Sequence, residues 1–99
     1  MFSFKQLEAI YWIDREGSFS AASQRLHTTQ AAISKRVKEL ESIVGEDVFD
    51  RSLRQARFTE KGLQLLQAAR QMLRERDQVT ERLVKPETLA RRVTLAPTE

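Results

Sequence analysis

Gln30, Ser34 and Lys35 stand near the start of an amphipathic stretch, with Arg36 and Lys38 close behind them. Further along, Arg51, Arg54 and Arg57 recur every three residues. Amide, hydroxyl, ammonium and guanidinium groups in such runs suit hydrogen bonding to base edges and pairing with phosphate rather than bond-breaking chemistry. The 99 residues hold one His and no Cys. That excludes a multi-histidine or thiolate metal site, a disulfide framework and a cysteine nucleophile. Asp14 and Glu16 flank Arg15, but no activated nucleophile or His stands near them in the sequence. His27 is read as a turn residue whose ring packs or touches a phosphate. No enzyme is expected, and no cofactor within these residues.

Net charge is +3, a weak pointer to an anionic partner. Its distribution is more informative. Residues 1–28 carry three positive and three negative charges, whereas Arg70 to Arg92 carry seven Lys and Arg against four acids. An apolar content of 40% with 31% charged residues fits a folded, helix-rich chain. With only three Gly and two Pro, a strand-and-turn architecture is disfavoured. The length is that of one small domain. Lys5, Gln6 and Glu8 interrupt the apolar residues between Phe2 and Trp12, so the N-terminus is no signal peptide. No run of about 18 apolar residues is present to span a membrane. A reducing, cytoplasmic setting suits the lack of Cys.

The elements that must position these side chains follow from periodicity and capping. Leu7, Ile10, Tyr11 and Ile13 mark one side of a helix over Phe4–Arg15, ended by Gly17. Ser18 caps a short helix through Leu26, with Ala21, Ala22 and Leu26 as its apolar face. After His27-Thr28, Thr29 caps a third helix from Gln30 to about Val44. Ile33, Val37, Leu40 and Val44 form its apolar stripe, and Gly45 closes it. Val48-Phe49 and Arg57-Phe58 read as two short strands around a polar tip. Thr59 caps a long helix from Glu60 to about Lys85, stopped by Pro86. About 25 residues at about 1.5 Å each would reach roughly 37 Å. Trp12 and Tyr11, set in a helix, are expected to pack in the core or a dimer rather than stack on bases.

Three helices followed by a hairpin make a winged helix-turn-helix. In that arrangement the third helix presents Gln30, Ala31, Ser34 and Lys35 at the end that enters the major groove, and small Ala31 and Ala32 permit close approach. Glu39 and Glu41 offer Lys35 and Lys38 partners at helical spacing, so a solvated charged face is the competing reading. Arg57 can simply extend beside Phe58.

The chain resembles the LysR-type transcriptional regulators. The resemblance is carried by Leu7, Gly17-Ser18-Phe19, Ala21-Ala22, Leu26 and Gln30-Ala31-Ala32-Ile33-Ser34. It continues through Leu40-Glu41, Gly45, Val48-Phe49-Asp50-Arg51 and Thr59-Glu60-Lys61-Gly62, covering about residues 3–85. Ala31 departs from the Pro common there, and the wing tip Ser52 to Ala56 lacks the usual glycine. The resemblance implies sequence-specific binding of duplex DNA by a dimer on an interrupted inverted repeat. It implies a minor-groove role for Arg54 and phosphate contacts from Ser18, Thr28, Thr29 and Arg36 or Lys38. It also implies that Arg51 lies near the backbone or braces the wing.

The long helix carries Leu66, Leu73 and Thr80 seven apart, with Gly62, Ala69, Arg76 and Leu83 interleaved, and a second series Leu65, Met72 and Val79. One face can pack on the domain while another seeks a second chain. Leu65, Leu66, Ala69, Met72, Leu73, Val79 and Leu83 are the candidate dimerisation residues. The resemblance implies antiparallel pairing of two such helices, and a tetramer for a full-length protein. Residues 1–58 are thus expected to form the DNA-binding domain, 59–85 the linker and dimerisation helix, and 86–99 a hinge. Arg91 to Ala96 looks like the first strand of an effector domain whose remainder, with its small-molecule site, is expected to follow. A protein-interaction module that uses the long helix without DNA is the reading of a different class.

Overall fold

A hydroxyl cap opens every helix of the computed structural model, which describes residues 2–50 and 57–84. Ser3 Oγ accepts from the Gln6 N–H, and Gln6 Oε1 accepts from the Ser3 N–H, a reciprocal box that starts α1 (Phe4–Glu16). Ser18 Oγ accepts from the Ala21 N–H at 3.0 Å to start α2 (Phe19–Arg25). Thr29 and Thr59 cap α3 (Gln30–Val44) and α4 (Glu60–Leu83) in the same way. Gly17 and Gly45 end α1 and α3 in the left-handed region, at φ 91° and 76°, where a Cβ would be strained. Between α2 and α3, His27 also turns left-handed, at φ 55°, and the Thr28 N–H reaches the Ser23 carbonyl at 2.9 Å.

Some ends differ from the expected ones. α1 extends to Glu16, and Leu26 caps α2 instead of belonging to it. α4 stops at Leu83 because Val84 is extended, at ψ 133°. Lys85, Pro86 and the strand expected from Arg91 lie outside the described residues.

α1 is the centre of the packing, and α2, α3 and α4 all lie against it. Leu7, Ile10 and Ile13 meet Ile33, Val37 and Leu40 of α3 and Leu65, Leu66 and Ala69 of α4 in one core. Complete burial of a side chain such as Ile33 stabilises the fold by about 2 kcal/mol. Tyr11 and Trp12 pack partly buried against this core, and the Arg25 guanidinium lies 4.3 Å from the Trp12 ring centre. The two expected short strands meet as an antiparallel bridge between Phe49 and Phe58. Asp50 N–H donates to the Arg57 carbonyl at 2.8 Å and Thr59 N–H to the Val48 carbonyl at 2.9 Å. Phe49 touches Phe19 and Phe58 edge-on and tilted, with ring centres 5.1 and 4.6 Å away, so the base of the wing is fixed to the helices. The result is a mostly helical winged helix-turn-helix followed by a long helix.

The first half of α4 shares the core with α1 and α3. Arg70 Nη2 lies 3.0 Å from Asp14 Oδ2 and ties α4 to α1. Among the described residues, no helix is long and apolar enough to cross a membrane.

Gly62 lets α4 approach the base of the wing closely. A Cβ there would lie 2.2 Å from the Val48 carbonyl oxygen and 2.9 Å from a Phe58 ring carbon. Gly62→Ala is therefore expected to destabilise the chain by about 1–3 kcal/mol through overpacking. It should do so although Ala favours a helix interior by about 1 kcal/mol. Urea denaturation measures this, and unchanged or greater stability would contradict the contact.

Candidate nucleic-acid interface

The rotation of α3 about its axis is fixed by Ile33, Val37 and Leu40, none more than 1% exposed. The opposite face is therefore turned outward. Ala31, Lys35 and Lys38 are exposed there and Ser34 is half-buried. These four, with Glu39 and Ser42, line one shallow groove. Gln30 is exposed in the first turn. That turn holds no acid, so apart from the neutral Thr29 cap the partial positive charge of the helix start is unopposed by a carboxylate of that turn.

The remaining sequence-derived contacts divide. Ser18 and Thr29 use their side-chain oxygens as caps, and each hydroxyl proton is still free to be donated. Thr29 is exposed beside the groove, whereas Thr28 and Ser18 are half-buried. Arg36 follows Ser34 and precedes Lys38 by two residues, a turn of about 200° around the helix. It is half-buried on the far flank and does not join the groove. Arg51 and Arg54 lie outside the described residues.

The charge pairing expected at helical spacing is not what forms. Glu39 Oε1 accepts from Gln6 Nε2 at 3.0 Å, and Glu41 Oε2 accepts from the Val48 N–H at 3.0 Å. Among the described residues, Lys35 and Lys38 have no carboxylate within ion-pairing distance. Both ammonium groups are left to solvent or to an anion. The roles of Gln6 and Glu41 were missed from sequence. A Ser-x-x-Gln pattern at Ser3 and Gln6 was available as a capping signal, but nothing local marked Val48 as the partner of Glu41.

The dimerisation candidates separate by burial. Leu65, Leu66, Ala69 and Leu73 are buried within the chain itself, while Met72, Val79 and Leu83 are 41%, 41% and 77% exposed. Met72 and Val79 line a second shallow groove with Phe4, Glu75, Arg76 and Thr80. Arg76, interleaved with the apolar series, lies 5.2 Å from the Phe4 ring centre and 4.0 Å from Glu8.

Comparison with known proteins gives this geometry a context. The sequence model for the bacterial regulatory helix-turn-helix proteins of the lysR family matches residues 4–63. The HTH-type transcriptional regulator CfxR of Cupriavidus necator is 41% identical over 73 residues, 74% of this chain and 23% of its own. Full-length LysG from Corynebacterium glutamicum superposes at a TM-score of 0.77 with 37% identity, over 84% of this chain and 29% of that one. The DNA-binding domain of CbnR, solved in complex with DNA, superposes at 0.72 with 30% identity, over 81% of this chain and 92% of that one. The match spans about a quarter of the length of most of the curated relatives, CfxR among them.

Thr29 holds the end of α3 on which the groove depends. Thr29→Ala is expected to lower stability by about 1 kcal/mol, and Thr29→Ser to retain most of it. Thermal unfolding of both variants measures the cap, and an Ala variant as stable as the parent would contradict it.

Proposed function

The chain belongs to the LysR family of bacterial regulatory helix-turn-helix proteins and carries its DNA-binding domain, and from that premise we propose how it reads DNA. α3 lies in the major groove of a duplex, with Gln30, Ala31, Ser34 and Lys35 at base edges. Ser18, Thr28, Thr29 and Lys38 hold phosphates, and Arg36 reaches a phosphate only from the far flank of the helix. Arg51 and Arg54 belong to the wing, at the backbone and in the minor groove. The observation that carries this reading is the outward face of α3, where Lys35 and Lys38 flank small Ala31 and Ser34 without carboxylate partners among the described residues.

Affinity then comes from neutralising phosphates and releasing counterions, and selectivity from the short polar side chains near the helix start. Two copies pair through the outward apolar side chains of α4, Met72, Val79 and Leu83, and engage an interrupted inverted repeat. Leu65, Leu66, Ala69 and Leu73 support that pairing from within, since they hold α4 on α1. A cytoplasmic location, small-molecule control through a further domain and a tetramer of the longer protein belong to the same proposal.

Selection from a random duplex pool tests the reading. Gln30→Ala and Ser34→Ala should flatten the preference at one or two base positions, each by about 1–3 kcal/mol of discrimination. Lys38→Ala should weaken all sequences alike. Unchanged sequence preference in both of the first variants would contradict the assignment. Val79→Asp, at an exposed position, should weaken pairing of two copies by about tenfold or more without unfolding the chain. Sedimentation with and without duplex checks this, and one copy per site at saturation in the parent chain would contradict pairing.

A further inference from the structure

α3 packs on α1 and α2, and α4 packs on α1. Val48 links the two helices directly. Its N–H donates to Glu41 Oε2 on α3 at 3.0 Å, and its carbonyl accepts from the N–H of Thr59, the cap of α4, at 2.9 Å. Gly62, in the first turn of α4, is so close to the same carbonyl that a Cβ would lie 2.2 Å from it. Two more contacts brace the junction. The Thr59 hydroxyl donates to the Asp47 carbonyl at 2.6 Å, and Lys61 Nζ lies 3.8 Å from Glu46 Oε2. The Val48 side chain is 0% exposed, so core packing holds the residue from one side and the Glu41 bond holds its backbone from the other. A carboxylate accepting from a backbone N–H makes a stronger bond than a neutral pair would.

We propose that Glu41 is a positioning residue for DNA recognition. By holding the Val48 N–H it fixes the angle between α3 and α4, and so the half-site spacing that a pair of copies prefers. This rests on the reading that two copies pair through α4. Glu41 lies about two turns beyond Ser34 and outside the groove residues. Its loss therefore removes no base contact. α4 is a lever of roughly 36 Å, so slack at Val48 becomes slack in the separation of two recognition helices.

The test uses two half-sites taken from sequences the parent chain enriches, joined by spacers of varied length. The parent should favour one spacer over its neighbours. Glu41→Ala should lower that ratio by about fivefold, with binding to a single half-site changed by less than about twofold. Glu41→Gln keeps an acceptor oxygen without the charge and should recover part of the parent ratio, more than Glu41→Ala does. Hydrogen exchange at the Val48 amide should be slow in the parent and Glu41→Gln, and fast in Glu41→Ala. If Glu41→Ala does not fold, Glu41→Asp withdraws the acceptor by one methylene and carries the same expectation. A parent spacer ratio in Glu41→Ala, no rescue by Gln, or an equal loss on all spacers and the single half-site would overturn the proposal. A parent chain that enriches half-sites but shows no spacer preference overturns the pairing reading, and this inference with it.

Discussion

Burial of Ile33, Val37 and Leu40 against α1 is the constraint on which the rest of the structure depends. Their spacing of four and three places all three on one stripe, and each is essentially inaccessible. A helix held by such a stripe has no rotational freedom about its axis. Ala31, Ser34, Lys35 and Lys38 must then face outward together. The same rotation carries Arg36 to the far flank and turns Glu41 toward the start of the wing. The groove and its charge are consequences of core packing rather than independent features.

α4 obeys the same logic along a longer path. Its first turns pack on α1 and the wing base, with Gly62 permitting the approach that a side chain would block. Toward its C-terminal end the helix is less covered, and Met72, Val79 and Leu83 remain exposed. Ion pairs between partly exposed groups, such as Arg70 with Asp14, add at most about 1 kcal/mol each. The direction of α4 therefore rests mainly on apolar packing and on the Val48 junction. One helix thus serves the core at its start and offers an apolar surface at its end.

Much of this was legible in local chemistry. Ser18, Thr29 and Thr59 announced helix starts, Gly17 and Gly45 announced stops, and the period of α3 identified its buried stripe. Such signals depend on residues within one turn of each other. Two things escaped because they depend on distant partners. Helical spacing offered Lys38 to Glu41, whereas its carboxylate accepts from a backbone N–H beyond the Gly45 turn. An apolar series in α4 does not say whether its partner is the same chain or another. Burial assigns Leu65, Leu66, Ala69 and Leu73 to the chain's own core. The flank taken by Arg36 follows from the helical repeat alone, since a spacing of two separates it from both Ser34 and Lys38.

On the proposed reading, the outward face of α3 binds duplex DNA by sequence. The most direct measurement is a salt titration of binding to an enriched duplex and to an unrelated one of equal length. Log affinity should fall steeply and linearly with log salt on both, with the enriched duplex still bound about a thousandfold more tightly at physiological salt. Equal affinity for the two duplexes at moderate salt, or binding insensitive to salt, would contradict it.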